Sequence, residues 1–305
     1  MPHVIDDDPS ERLRRALLSL DGLSVGDALA SQFFVPGPWK IEDRTLPEPP
    51  WSWTDDTQTA CSLVSVLAAR GEIDRDELAV LLAERFDPNR GYGVGMHVLF
   101  HRILDGEHWR TAAPSLFEGR GSFGNGAAMR VAPVGAWFAD DLEMVVEQAV
   151  RSAEVTHAHA DGIAGAVAVA VAAALAARSA GEAAPSPASF VDEVVERTPP
   201  GTVHDGLRRA RALVRNDDVE HAAYQLGNGS QVAAHDTVPF VVWSAARRLD
   251  DFEDAIWRTI EGGGDVDTTC AMVGGIVGAR VGRHRIPSDW LRQREPLPGW
   301  VVART

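Results

Sequence analysis

Residues 160–179 read ADGIAGAVAVAVAAALAARS, and the fold class turns on how this stretch is read. Its apolar run from Ile163 to Ala177 is mostly alanine and valine. A membrane span needs about 20 such residues, so the run is too short to cross a bilayer. It reads instead as an Ala-rich helix buried on every side. The same helical patterning continues outward in both directions. Ser10 to Leu20 carries apolar residues at Leu13, Leu17, Leu18 and Leu20, with Ser10 placed to cap it. Thr59 to Arg70 and Asp76 to Phe86 are two more such runs, and further helices are expected near 95–105, 126–138, 141–154, 188–197, 204–215, 235–248, 250–261 and 268–282. Gly/Pro-rich segments at 36–50, 87–93, 119–126, 181–187, 198–202 and 262–264 separate them. Clear alternating strand patterns and internal repeats are missing. The expectation is an all-α protein, with one compact domain over residues 1–305.

Composition narrows the chemistry. The chain of 305 residues holds 29 Lys+Arg against 44 Asp+Glu, a net charge of −15. Such a balance argues against general nucleic-acid binding, which needs a basic surface. Lys40 is the sole lysine, and it lies in Trp39-Lys40-Ile41 rather than in a Gly-Lys-Ser/Thr phosphate loop. Two cysteines, Cys61 and Cys270, make neither a disulfide framework nor a Cys-rich zinc site. The start, MPHVIDDDPSERLRR, has no basic segment followed by an apolar one, so no signal peptide is expected. The chain reads as cytoplasmic, without a membrane partner and monomeric.

Two aspartate clusters lie far apart in the chain. The first is Trp53-Thr54-Asp55-Asp56-Thr57, where adjacent carboxylates open a helical run. One reading is a helix cap, with Thr54 or Asp55 capping and Asp56 meeting the dipole. The second is Glu261-Gly262-Gly263-Gly264-Asp265-Val266-Asp267-Thr268-Thr269. Its glycines permit a tight turn, and the Gly-rich apolar segment after it, AMVGGIVGARVG, suits close helix packing. Carboxylates and hydroxyls are ligands for hard divalent cations. Together they predict a metal centre of Thr54, Asp55, Asp56, Asp265, Asp267 and Thr268, in which four carboxylates neutralise two divalent cations. Two caps that never meet are the competing reading.

Other motifs are weaker alone. Arg120-Gly121-Ser122-Phe123-Gly124-Asn125-Gly126 enters a helical segment that includes Met129 and Arg130, and its backbone N–H groups suit phosphate. Asp87 to Gly93 is a similar loop, in which Tyr92 either stacks on a base or covers the core. His157 and His159 fall between two helical patterns, as substrate contacts or as a hydrogen-bonded helix end. His97 and His101 have zinc-ligand spacing, but Val98 stands where the zincin motif needs Glu, so they read as structural. Cys61 and Cys270 read as small buried hydrophobes. Trp51 and Trp53 either shield the first cluster or pack the core.

In combination, GDALASQFF (26–34), WTDDTQTA (53–60), RGYGVG (90–95), GSFGNGAAMRVAPV (121–134), THA (156–158), TVPF (237–240) and GGDVDTTCAMVGGIVGA (263–279) resemble the ADP-ribosylglycohydrolase family. The blocks keep the family's order and span most of the chain. The resemblance implies a compact, orthogonally packed all-α bundle with a dinuclear Mg²⁺ or Mn²⁺ site. It assigns metal binding to Thr54, Asp55 and Asp56 in the first motif and to Asp265, Asp267 and Thr268 in the second. It assigns ADP-ribose contacts to Gly91, Tyr92 and Gly93, to Ser122, Phe123, Gly124, Asn125, Gly126 and Met129, and to His157. It further implies a metal-dependent hydrolase of the bond at the anomeric carbon of an ADP-ribosyl group, carried by a protein side chain or a small molecule. Asp55, Asp56 and Asp267 are its candidate catalytic residues.

Phe34 departs from the pattern, because many members carry an acidic residue there. It opens an alternative, a module that binds ADP-ribose or a related nucleotide without cleaving it. Paired acidic clusters in an all-α chain also describe isoprenoid synthases, although Asp55-Asp56-Thr57-Gln58-Thr59 lacks their further aspartate.

Overall fold

The computed structural model describes residues 9–302 except 36 and 39. The expectation about a signal peptide falls partly on residues 1–8, outside this range. In chain order the helices are α1 (Pro9–Ala30), α2 (Asp55–Arg70), α3 (Arg75–Glu84), α4 (Val94–Leu104), α5 (Trp109–Gly119), α6 (Gly126–Met129), α7 (Ala132–Trp137) and α8 (Leu142–Glu154). There follow α9 (Ala160–Arg178), α10 (Pro187–Arg197), α11 (Thr202–Leu213), α12 (Val219–Leu226), α13 (Ala234–Arg247), α14 (Phe252–Glu261), α15 (Val266–Val281) and α16 (Ser288–Gln293). Among the described residues the only β pairing is two isolated bridges, Trp51 with Arg294 and Gly124 with Ala233. The fold is all-α, as expected.

Helix α9 is the predicted Ala-rich helix. At 19 residues it outlasts the apolar run that defined it, and by length and composition alone it would pass for a membrane span. Yet 78% of its most apolar window is buried inside the fold. Its alanines let other helices come close: a Cβ on Gly135 of α7 would lie 2.0 Å from the Ala170 carbonyl oxygen.

The most extensive crossing is that of α1 and α15. A Cβ on Gly22 would meet the Gly274 carbonyl oxygen at 2.2 Å, and one on Gly26 would meet that of Cys270 at 2.2 Å. Glycines on both helices therefore set backbone against backbone, which is the close packing expected for the segment after Asp265. Ser19 Oγ adds a hydrogen bond to the Gly275 carbonyl at 2.8 Å.

Several boundaries differ from expectation. Helix α1 begins at Pro9, so Ser10 sits in its first turn, and it runs ten residues past Leu20. Helix α2 begins at Asp55, four residues ahead of Thr59, which puts both aspartates inside its first turn. The run expected over 126–138 is two short helices broken at Arg130 and Val131. Helices α5, α12 and α16 went unpredicted. Pro114 interrupts the pattern of α5, and its backbone leaves helical geometry over Leu116, Phe117 and Glu118. The other two are short, with 8 and 6 residues.

Candidate active site

A cavity of about 530 Å³ is lined by Asp55 and Thr59 of α2 and by Asp265, Asp267 and Thr268 at the start of α15. Three helices meet beside it, α2 and α15 at their N-termini and α1 toward its C-terminal end. Asp27 of α1, Asp56 of α2 and Asp267 of α15 each offer a carboxylate oxygen within 4.8 Å of the other two. The two sequence clusters thus meet, and the reading of two separate caps is corrected. Thr54 is the N-cap of α2, yet its side chain makes no capping hydrogen bond. Its hydroxyl lies 2.9 Å from both Asp27 Oδ1 and Asp56 Oδ2.

Asp27 was missed at the sequence level. It is fully buried and accepts from the backbone N–H groups of Thr54 and Thr57 and from the Thr57 hydroxyl at 2.5 Å. The available signal was an aspartate inside GDALA, flanked in sequence by glycine, alanine and leucine.

Burial dominates the electrostatics here. It pushes Asp27 up to about 6 against the hydrogen bonds from Thr57 and Thr54, which favour the charged form. It pushes Asp55 up to about 8, helped by the charge of Asp27. Asp56 is raised well above the ordinary carboxylate value by burial, then by Asp27 and Asp267. Asp267 is raised in the same way by burial and by Asp265. Asp265 is raised by burial despite its hydrogen bond from Asn125. Asp56 Oδ1 is buried with no hydrogen-bond partner. Buried like charges with an orphaned oxygen are costly unless a cation is present, and this donor set is all oxygen. The residues therefore fit a hard divalent cation.

The cavity walls carry most of the remaining candidates. Asp55, Asp265, Asp267 and Thr268 line it at the acidic end, with Gly91, Tyr92 and Gly93 beside them. Ser122, Phe123, Gly124, Asn125, Gly126, Met129 and His157 line the other end. Thr54 and Asp56 lie behind the wall. Gly91 has φ +93, and a Cβ there would stand 3.6 Å from Asp55 Oδ1, so the loop passes close over that carboxylate. Tyr92 donates to Gln58 Oε1 at 2.7 Å and packs edge-on against Phe86 and Phe100. Arg90 ties the same loop down. It donates to the Trp53 carbonyl and to Glu295, and its guanidinium lies 3.5 Å from the Trp53 ring centroid.

Asn125 links the two ends. Its Nδ2 donates to Asp265 Oδ2 at 2.7 Å and to Thr237 Oγ1 at 3.2 Å, which gives the TVPF block a place at the site. Within the glycine loop, Gly124 N–H donates to Ser122 Oγ and Asn125 N–H to the Val232 carbonyl. A ligand oxygen at Gly124 has to displace the serine. Phe117, unpredicted, also lines the cavity from a left-handed backbone (φ 52), with its ring 6.4 Å from that of Phe123. Gln231, Val232 and Arg130 also line it without having been assigned a role, although Arg130 stands beside Met129 in the 121–134 block.

The other motifs resolve as structure. His159 caps α9 by accepting from Asp161 N–H, so it is the helix-end histidine, whereas His157 faces the cavity. His101 Nδ1 bonds the His97 carbonyl, and both rings pack on Phe86. Cys61 and Cys270 are buried, and burial pushes both thiols up. Trp51 and Trp53 pack inside the fold, outside the cavity lining. Phe34 is 54% exposed and is not among the residues that line the cavity. The reading as a binding module rested on Phe34 and is not carried forward.

Comparison with known proteins agrees with this picture. The ADP-ribosylglycohydrolase family model matches residues 8–303, and the chain belongs to that family. ADP-ribosylhydrolase ARH3 of Gallus gallus is 32% identical over 273 residues, covering 78% of this chain and 72% of its own. ADP-ribosylarginine hydrolase Tri1 of Pseudomonas putida is 25% identical over 301 residues, covering 93% and 75%. A solved structure described as an ADP-ribosylglycohydrolase-related protein complex shares the fold with a TM-score of 0.64 at 22% identity, covering 94% of each chain.

Proposed function

We propose that this protein hydrolyses the glycosidic bond at the anomeric carbon of an ADP-ribosyl group attached to a protein side chain or small molecule, with two divalent cations, Mg²⁺ or Mn²⁺. The observation that carries the reading is the buried meeting of Asp27, Asp56 and Asp267, with Asp56 Oδ1 unpartnered, at one end of a cavity whose other end is a glycine loop. Thr54, Asp55, Asp56, Asp265, Asp267 and Thr268 would hold the cations, and Asp27 joins that set. Bound there, such cations neutralise the carboxylates and supply Lewis-acid charge for activating water. The acidic surroundings stabilise positive charge that develops at the anomeric carbon. Asp55 lines the cavity beside the other carboxylates and is the candidate to take the proton of the water that attacks that carbon. The rings of Phe117 and Phe123, inclined at 39° to each other, offer two apolar faces at the far end.

The test is release of ADP-ribose from arginine-linked and serine-linked ADP-ribosyl peptides in Mg²⁺ or Mn²⁺. Release is expected to stop with a chelator and return when cation is restored. Asp56→Ala and Asp267→Ala are each expected to lower turnover at least ~100-fold. Full turnover by both variants, or release that ignores the chelator, overturns the reading. The peptide that is cleaved identifies the linkage.

A further inference from the structure

Arg130 lies between α6 and α7 and is only 1% exposed. Its Nη2 donates to the Ser152 carbonyl at 2.8 Å and to Thr156 Oγ1 at 2.8 Å. Thr156 is fully buried, and its Oγ1 lies 2.8 Å from His157 Nδ1. A guanidinium can only donate. Thr156 Oγ1 therefore accepts from Arg130 and keeps its own hydrogen to give away. Two acceptors are in range, the Ala153 carbonyl at 3.5 Å and His157 Nδ1 at 2.8 Å. Hydroxyl-to-oxygen bonds span about 2.5–3.0 Å, so the carbonyl is too far. The hydrogen goes to Nδ1, which leaves the ring's own proton on Nε2.

Charge acts in the same direction. The guanidinium sits on the Nδ1 side of the ring and opposes a proton there. Burial, then Arg130, pull the pKa of His157 down to about 3. Nε2 faces the cavity between two glycines of the loop. A Cβ on Gly126 would come within 3.0 Å of it, and one on Gly124 within 3.3 Å. The ring's hydrogen bonding within the protein is confined to Nδ1.

We propose that Arg130 and Thr156 are positioning residues that hold His157 as a neutral Nε2–H donor, aimed at an acceptor atom of the ligand in the cavity. The identity of that ligand rests on the function proposed above; the locked tautomer does not. In this state Nε2 has no free lone pair, so His157 donates a hydrogen bond and does not serve as a general base.

Long-range proton–nitrogen NMR of the ¹⁵N-labelled full chain tests the tautomer without ligand, with His157→Gln identifying the signals. The expected pattern is a protonated Nε2 and a bare Nδ1, unchanged between about pH 5 and about pH 8. An Nδ1–H tautomer or an imidazolium in that range overturns the proposal. Thr156→Ser keeps the hydroxyl and is expected to keep both the pattern and the affinity for ADP-ribose, measured by calorimetry. Thr156→Val is expected to admit the Nδ1–H form and to weaken ADP-ribose about tenfold. A folded valine variant with unchanged spectrum and affinity overturns the relay; if it does not fold, the wild-type spectrum and the serine variant decide. Absence of ADP-ribose binding by the wild type, with the Nε2–H pattern present, counts against the proposed function and leaves the tautomer lock standing.

Discussion

At one end of the cavity Asp27, Asp56 and Asp267 crowd together with an orphaned carboxylate oxygen. At the other, the 121–126 loop and His157 present neutral groups, each held by a protein partner: Gly124 by Ser122, Asn125 by Asp265 and His157 by Thr156. Both ends use glycine, but for different purposes. Gly22, Gly26 and Gly274 bring two helix backbones together, and so bring Asp27 of α1 beside Asp267 of α15. Gly124 and Gly126 instead leave open the space in front of His157. The acidic end is assembled under electrostatic strain that a bound cation would relieve, whereas the loop end carries no such strain and keeps only the Nε2 side of His157 open to a ligand.

The strongest way to break this contrast is Gly26→Ala. Its methyl would overlap the Cys270 carbonyl group of α15 and press on the Ile256 side chain of α14. A loss of about 3 kcal/mol is expected in denaturant unfolding, along with loss of cation binding. A variant of near wild-type stability would mean that α1 and α15 can separate without disturbing the acidic end.

The second change carries the opposite sign. Asp56→Asn removes one carboxylate from the cluster while keeping its shape, and its amide oxygen can take the place of the Oδ2 that accepts from Thr54. In chelator-treated protein at about pH 8 it is expected to raise stability by about 1–3 kcal/mol. The same change should abolish stabilisation by added cation. Destabilisation of the cation-free protein would show that the carboxylates do not oppose one another.

pH gives a third test. The folded-state pKa values of Asp27 and Asp55 are raised, to about 6 and about 8, above an unfolded value near 3.8. The folded protein then binds more protons than the unfolded chain across this window. Its stability falls as pH rises. The melting temperature of cation-free protein is expected to drop between about pH 4 and about pH 8, and saturating cation should flatten the drop. A cation-free melting temperature that climbs over that range contradicts the assignment.

Gly126→Ala probes the other end and should have the smallest effect on folding. Its Cβ would sit 3.0 Å from His157 Nε2, in the space reserved for a ligand oxygen. KM for the ADP-ribosyl substrate is expected to rise about tenfold, with kcat within about threefold and cation affinity unchanged. Equal losses in cation affinity and KM would show the two ends to be a single unit.

Helical periodicity is a local property, and the sequence carried it. The Ala-rich run at 163–177, the apolar faces around it and the absence of alternation gave the all-α class. The missed helices were the short ones and α5, where Pro114 hides the pattern. Both aspartate clusters and the glycine loop were legible because their chemistry is concentrated in a few adjacent residues. Asp27 and Arg130 were not, for each stands alone among apolar neighbours. Their roles come from what faces them across the fold: Thr54, Thr57, Asp56 and Asp267 for one, Thr156 and Ser152 for the other. The sequence by itself determined the helices, the family motifs and the oxygen-rich ligand chemistry. Only the tertiary structure decided which carboxylates converge and which nitrogen of His157 keeps its proton, because both depend on backbones that meet where glycine leaves room, between residues the chain holds far apart.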